Sequence, residues 1–182
     1  LFRSNQVKQI ELINTTKVPV KKIYVYDGGQ IQWNPMGRYI GRNLGVQENK
    51  KVNVMLEIEN RADRQMGFSL PAGKVRVYKR DDDGSLEFIG EDGIDHTPRD
   101  EKMTLYIGDA FDVTGERTQD DYKDLSTRSC QEWFTIKVRN HKETPVTVNI
   151  IEKLYRAADW EIVDNSHKFN KLDSRTVEFP VE

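Results

Sequence analysis

The sequence predicts an all-β chain, folded as an antiparallel, immunoglobulin-like β-sandwich. Short runs of alternating apolar and polar side chains recur along the 182 residues, and turn residues separate them. No window shows the apolar period of an amphipathic helix. Because the polar residues 120–129 separate two blocks of alternating runs, we expect two β-rich units, residues 1–119 and residues 120–182.

Three strands are predicted in the first part of the chain. Residues 7–13 and 22–26 are joined by a turn-rich connection, and Gly28-Gly29 ends the second strand. Residues 30–49 lack a regular pattern and predict a long loop. Residues 52–58 alternate apolar side chains with mostly polar ones, which indicates a strand with one buried face.

The centre of the chain predicts a β-hairpin. Residues 74–80 alternate valine with charged and aromatic residues, the Asp-Asp-Asp-Gly run at residues 81–84 supplies the turn, and residues 86–89 return. A further strand is expected over residues 103–107. Pairing resumes over residues 113–117 after an interruption.

A second hairpin is predicted from residues 133–139 and 146–153. Residues 160–163 and 176–181 supply the last two extended segments. The expected core of the second unit comprises Trp133, Phe134, Ile136, Val138, Val148, Ile150 and Trp160.

Charge and hydropathy argue against a nucleic-acid partner and against a membrane-spanning segment. The formal net charge is -2 and the sequence pI is about 6.0, so the whole chain does not attract nucleic acid or anionic lipid. Residues 17–26 and 74–80 mix basic and aromatic side chains, but strand alternation places these charges on solvated faces. We therefore expect no nucleic-acid partner. No apolar run approaches the roughly 18 residues of a membrane-spanning helix, so no membrane span is expected either.

Catalytic motifs are missing from the sequence. The single cysteine, Cys130, excludes an intrachain disulfide and a thiolate metal cluster, and its expected role is that of a small buried side chain. Neither a Gly-x-Ser-x-Gly nor a His-Glu-x-x-His pattern occurs. The sequence therefore predicts no catalytic residue, and we expect a protein that is not an enzyme.

One group of acidic and imidazole side chains is a candidate metal site, formed by Glu91, Asp92, Asp95 and His96. Such side chains bind a divalent cation when a loop brings them together. The alternative is a turn around Gly93 that directs Ile94 inward. The aspartates at residues 81–83 lack the spacing of an EF-hand calcium loop. A divalent cation at the first group is the only cofactor that the sequence leaves open.

Asn14 is a candidate glycan acceptor. Asn14-Thr15-Thr16 forms a glycosylation sequon in a turn-rich segment. One chance match is expected in a chain with this many Asn, Ser and Thr residues. The sequon therefore counts only if the source organism glycosylates its exported proteins.

Several motifs in a fixed order carry a family resemblance. They are Leu70-Pro-Ala-Gly-Lys-Val-Arg-Val-Tyr, Asp83-Gly-Ser-Leu, Ile89-Gly-Glu-Asp, Ile94-Asp-His-Thr-Pro, Gly108-Asp-Ala-Phe-Asp-Val, Arg139-Asn-His-Lys, Pro145-Val-Thr-Val, Trp160-Glu-Ile-Val and Leu172-Asp-Ser-Arg-Thr-Val-Glu-Phe. In these motifs the chain resembles the domain of unknown function at the C-terminal end of mucoidy-inhibitor-A-like proteins. Members usually carry a secretion signal, so the resemblance implies a prokaryotic, extracytoplasmic protein that is secreted, periplasmic or at the cell surface. It provides no catalytic residues to transfer.

The two ends of the chain add two expectations. The start at Leu1, without an initiator Met, suggests a mature or trimmed product. Family members generally continue into one more strand beyond the position of Glu182, so we expect an open strand position in the second unit. Residues 2–13, further residues of the same chain or a strand of another molecule would fill it. The last case would make the protein a filament subunit.

These observations predict a non-enzymatic, exported β-sandwich module that acts by protein interaction in cell-envelope or extracellular assembly. Two alternatives stay open. One is a hydrolase or carbohydrate-active enzyme with a site built from loops, for example from Asp92, Asp95 and His96. The other is a passive ligand-binding module. Convergence of those three side chains in a cleft would favour the enzyme.

Overall fold

The computed structural model describes residues 11–29, 42, 49–154, 156 and 159–182. This part of the chain is nearly all β; it contains no α-helix, and one short 3-10 helix lies at Ala62–Arg64. Its strands are β1 (Val20–Asp27), β2 (Lys51–Glu59), β3 (Gly73–Arg80), β4 (Leu86–Ile94), β5 (Lys102–Ser126), β6 (Ser129–Asn140), β7 (Val148–Lys153), β8 (Asn170–Lys171) and β9 (Thr176–Val181). No helix among these residues has the length and apolar character needed to cross a membrane.

Seven of the strands form one mixed sheet in the order β6-β5-β2-β1-β7-β9-β8, while β3 and β4 form a separate two-stranded ribbon. Neighbouring strands of the sheet are antiparallel except β1 and β7, which run parallel with Tyr24 opposite Val148. The predicted all-β class is confirmed. The parallel pair departs from the purely antiparallel arrangement that we expected, because no hairpin joins these two distant strands and fixes their direction.

β5 is 25 residues long and joins two parts of the sheet. It pairs with β2 over residues 102–114 and with β6 over residues 113–126. The boundary predicted between residues 119 and 120 therefore falls inside one strand. Residues 120–129 form the end of β5 and its turn into β6, and do not cross between sheets. Their polar character is that of a two-stranded extension with one face in solvent.

The sheet curls so that its β5–β6 end covers the face of β1 and β7. Arg117 of β5 forms an ion pair with Glu152 of β7, although β2 and β1 lie between these strands in the sheet. At Gly115 an added Cβ atom would lie 2.0 Å from a ring carbon of Tyr26, so a glycine is required for this close approach. The space enclosed by the curl is the core.

The core confirms the predicted inward faces of β6 and β7 at most positions. Its buried members are Tyr24, Tyr26, Val52, Val113, Val148 and Ile150, with Ile136 and Val138 packed against them. Phe134 lies on the same face of β6 and is half-buried. The prediction is wrong for Trp133, which is 39% exposed, because neighbouring residues of a strand face opposite sides. Trp160 is half-buried outside this cluster, where its Nε1 donates to the Ser174 carbonyl at 2.7 Å.

Other predicted segments have mixed outcomes. Residues 7–10 lie outside the described residues, and residues 11–13 are not in a strand. The predicted loop at residues 30–49 also lies almost entirely outside them. Residues 160–163 do not form a strand, whereas residues 176–181 form β9 as predicted.

Candidate functional site: the outer edge of β6

β6 is the outermost strand on its side of the sheet. Two hydrogen bonds show which backbone groups of β6 point toward β5 and which point away from it. The His141 N–H donates to the Asp112 carbonyl of β5 at 2.7 Å, and the Gly115 N–H of β5 donates away from β6, to the Lys50 carbonyl at 3.0 Å. In an antiparallel pair such directions alternate from one residue to the next.

The alternation leaves one row of β6 backbone groups directed outward. Phe134, Ile136 and Val138 direct their N–H and C=O groups away from β5, and the residues between them bond to β5. Among the described residues, no backbone group pairs with this outer row. Unpaired rows of this kind are templates for an additional strand.

The two faces of β6 differ in character. The inner face carries the apolar side chains of Phe134, Ile136 and Val138, and the outer face carries Trp133, Lys137 and Arg139. Charged side chains such as Lys137 discourage indiscriminate edge pairing. Arg139 is held by an ion pair with Glu116, so its charge is less available for this role. Trp133 offers apolar contact beside the open row.

A buried ion pair lies against Phe134. Arg117 Nε donates to Glu152 Oε2 at 2.9 Å, and Arg117 Nη2 donates to Glu152 Oε1, so the contact is bidentate. The two side chains are 2% and 9% exposed. Burial raises the pKa of Glu152, and Arg117 opposes that shift. The guanidinium carbon lies 3.9 Å from the centre of the Phe134 ring, a cation–π contact that orients the ring under the edge.

A second charged group holds the start of β6. Arg156 Nε lies 2.6 Å from Glu132 Oε2, and the Arg156 guanidinium carbon lies 5.1 Å from the centre of the Tyr122 ring. Gln119 Nε2 donates to Glu132 Oε1 at 2.9 Å. The Tyr122 hydroxyl donates to Asp124, which raises the pKa of Tyr122. These contacts tie β6 to β5 and to the segment that follows β7.

Two of the predicted metal ligands, Glu91 and Asp92, point to opposite faces of β4. Glu91 accepts from Lys74 Nζ at 2.7 Å and from Arg76 Nε at 3.1 Å, and these cations lower its pKa. Asp92 accepts from the backbone N–H of Tyr106 at 2.8 Å. Both carboxylates therefore already have partners in the chain.

The other two predicted ligands lie beyond β4. His96 Nδ1 accepts from the Ala72 N–H at 3.2 Å and borders a shallow open pocket, while Asp95 is exposed. Within the described ranges, no three His, Cys, Asp or Glu side chains are grouped to hold a metal ion. The structure does not bring the four residues together, and metal binding there stays a prediction.

Asn14 and Cys130 complete the predicted residues. Asn14 is exposed in an irregular segment, and the hydroxyl of its neighbour Thr15 donates to the Gln65 carbonyl. Its use as a glycan acceptor stays a prediction. Cys130 lies half-buried near the start of β6.

The β3–β4 ribbon carries an aromatic pair that sequence analysis did not identify, although it placed the basic residues of segment 74–80 on a solvated face. Tyr78 and Phe88 are cross-strand neighbours whose ring centres lie 5.5 Å apart, edge to face, and about half of each side chain is exposed. The signal that could have revealed this pair is the alternation in residues 74–80, where a tyrosine lies between basic residues on the solvated side.

Comparison of the chain with protein-family models, curated proteins and solved structures found no match. The resemblance to the domain of mucoidy-inhibitor-A-like proteins therefore rests on the sequence motifs alone, and it stays a prediction.

Proposed function

We propose that this chain is a non-enzymatic interaction module that binds an extended segment of a protein partner by strand addition to β6. The observation that carries the proposal is the outward row of N–H and C=O groups at Phe134, Ile136 and Val138, for which the described residues supply no backbone partner. An added strand would form main-chain hydrogen bonds with this row, and its alternating side chains would reach both faces of β6.

The anchoring of β6 supports this role. The Arg117–Glu152 ion pair lies under the middle of the strand, and the Glu132–Arg156 ion pair lies at its start. A strand that is already held in place loses little conformational freedom when a partner binds. The binding free energy is then not spent on ordering β6.

The setting of this interaction is also part of the proposal. An exported protein in cell-envelope or extracellular assembly is supported by the family resemblance of the sequence motifs. The curled sheet, whose β5–β6 end covers β1 and β7, supports the finer proposal of an immunoglobulin-like sandwich. If the added strand came from a second copy in head-to-tail order, repeated addition would build a filament.

Native chemical ligation at Cys130 allows the segment that begins at this cysteine to be made synthetically. Because Cys130 precedes the outward row, single backbone groups of that row can then be modified. N-methylation of Ile136 removes one outward N–H and blocks the approach of a neighbouring strand. The bonds that Thr135 and Lys137 make to β5 remain. The probe is a set of extended peptides selected from a random displayed library on the unmodified chain. We expect N-methylation to weaken their binding by about tenfold or more.

The matched control is the ligated chain with N-methylated Glu161, whose N–H has no backbone partner among the described residues. This chain should bind the peptides as the unmodified chain does. Amide exchange measured by NMR should also show that bound peptide protects the amides of Phe134, Ile136 and Val138. Peptides that bind both modified chains equally, without protecting those amides, would contradict strand addition.

A further inference from the structure

The β3–β4 ribbon has one face on β5 and one face in solvent. Asp92 of β4 accepts from the Tyr106 N–H of β5, so its side of the ribbon faces the sheet. Strand alternation, the cross-strand partners and a bulge at Val77/Tyr78 define the opposite side. This ribbon face consists of Lys74, Arg76, Tyr78, Arg80, Leu86, Phe88 and Glu91.

The centre of the ribbon face is apolar. Tyr78, Leu86 and Phe88 are 50%, 60% and 52% exposed. The two aromatic rings already pack edge to face, so they present one preformed apolar surface. Contiguous exposed apolar side chains bordered by charges are characteristic of a protein-binding surface.

The base of the ribbon face carries an excess of positive charge. Lys74 Nζ lies 2.7 Å from Glu91 Oε1, and Arg76 Nε lies 3.1 Å from Glu91 Oε2. One carboxylate is therefore shared by two cations. The base, formed by Lys74, Arg76 and Glu91, therefore has one positive charge in excess.

The tip of the ribbon carries the opposite excess. Asp81, Asp82 and Asp83 are consecutive there. Lys79 pairs with Asp81 at 3.3 Å, and Arg80 donates to the Gly84 carbonyl at 3.1 Å. With three carboxylates and two cations, the tip keeps one negative charge in excess.

We propose that a second copy of this chain packs on the ribbon face about a two-fold axis near Tyr78 and Phe88. Residue 78 lies between the base and the tip: Lys74 is roughly 13 Å from it along β3, and the acidic turn begins directly after β3 ends at Arg80. A two-fold axis at this point places the acidic tip of each copy on the basic base of the other and joins the two apolar centres. The surface is complementary to itself, as a two-fold interface requires.

A second copy fits this surface better than a purely acidic partner. An acidic partner would be attracted to the base and repelled by the tip, while the ribbon face offers both signs of charge to its own copy. This interface is separate from the β6 edge. Its failure in experiment would therefore leave the proposed strand addition intact.

Sedimentation velocity of the full chain and two charge-reversed variants tests the proposal. The tip-reversed variant carries Asp82→Lys and Asp83→Lys. The base-reversed variant carries Lys74→Glu, Arg76→Glu and Glu91→Lys. We expect the natural chain to dimerise with increasing concentration and each variant alone to remain monomeric. We expect an equal mixture of the two variants to recover the dimer, because each tip then meets a base of opposite charge.

An apolar variant and a control complete the test. Tyr78→Ser with Phe88→Ser should abolish the dimer while the far-ultraviolet circular dichroism and tryptophan fluorescence match those of the natural chain, which shows that the chain is folded. Leu172→Ser, which removes an exposed apolar side chain elsewhere, should leave the dimer unchanged. A natural chain that stays monomeric would overturn the proposal, as would a mixture of the charge variants that fails to dimerise. Co-sedimentation of a monomeric chain with phosphatidylglycerol vesicles would instead identify a lipid-binding ribbon and overturn it as well.

Discussion

Gly115 allows the sheet to curl. An added Cβ atom would lie 2.0 to 2.4 Å from ring atoms of Tyr26, which is fully buried and donates through its hydroxyl to the Asn49 carbonyl at 2.6 Å. The ring has no free space in which to move. We expect Gly115→Ala to lower the free energy of unfolding by about 3 kcal/mol or more, measured by urea denaturation. Gly73→Ala is the matched control, since nothing lies within 4 Å of its added Cβ; equal effects would contradict this account of the curl.

Substitutions of Phe134 and Trp133 test which face of β6 is directed toward the core. Phe134 lies on the inner face against Arg117, and Trp133 lies on the outer face. Because Phe134 is half-buried, we expect Phe134→Ala to cost about 3 kcal/mol, at the low end of the range for core aromatics. Trp133→Ala should cost clearly less in the same thermal and urea titrations. A larger loss at Trp133 would show that the two faces of the strand are exchanged.

The ion pairs of Arg117 and Arg139 differ in burial, and so should their contributions to stability. Arg117→Ala leaves the Glu152 carboxylate buried without its partner, so we expect a loss of about 3–5 kcal/mol. Arg139 pairs with Glu116 at the surface, so Arg139→Ala should cost about 1 kcal/mol or less. Urea denaturation at neutral pH measures both. Similar losses would mean that water reaches the Arg117–Glu152 pair.

At the scale of the strands, alternation predicted most of β1, β2 and β3, the first four residues of β4, and the inward residues of β6 and β7. Each of these segments has one face in solvent and one apolar face, so polar and apolar residues alternate along its sequence. For β5 the same reasoning predicted residues 103–107 and 113–117 but missed the polar second half, which is paired although one of its faces remains in solvent. It also failed for the partner of β7: the predicted hairpin with β6 is wrong, and β7 pairs with β1 and β9 instead. A strand's own residues do not show which distant strand it will join.

One carboxylate forms a hydrogen bond between the ribbon and the sheet. Asp92 accepts from the Tyr106 N–H at 2.8 Å, whereas Asp95 is exposed past the end of β4. We expect Asp92→Ala to speed exchange of the Tyr106 amide by about tenfold or more in NMR hydrogen exchange, because that N–H loses its charged acceptor. Asp95→Ala should leave the exchange rate unchanged. Unaltered exchange in Asp92→Ala would show that Tyr106 has another acceptor.

At the scale of the whole molecule, the candidate site depends on arrangement more than on composition. Catalytic and metal-binding motifs are defined by particular side chains, but the open row of β6 consists of backbone groups, which every sequence has. Whether Phe134, Ile136 and Val138 are paired depends on where β6 lies in the sheet order. The charge asymmetry of the ribbon was visible as Lys74, Arg76 and residues 81–83, yet only strand pairing places these groups on one surface.

The shared strand β5 predicts that the described sheet unfolds as one cooperative unit. Residues 120–182 alone would lack the first part of β5, and β7 would lack its parallel neighbour β1. We expect far-ultraviolet circular dichroism and tryptophan fluorescence to report one coincident transition in urea. We also expect a fragment of residues 120–182 to be unfolded, with the backbone amide dispersion of a random chain. Two separated transitions, or a folded fragment, would instead support two independent units with a boundary near residue 119.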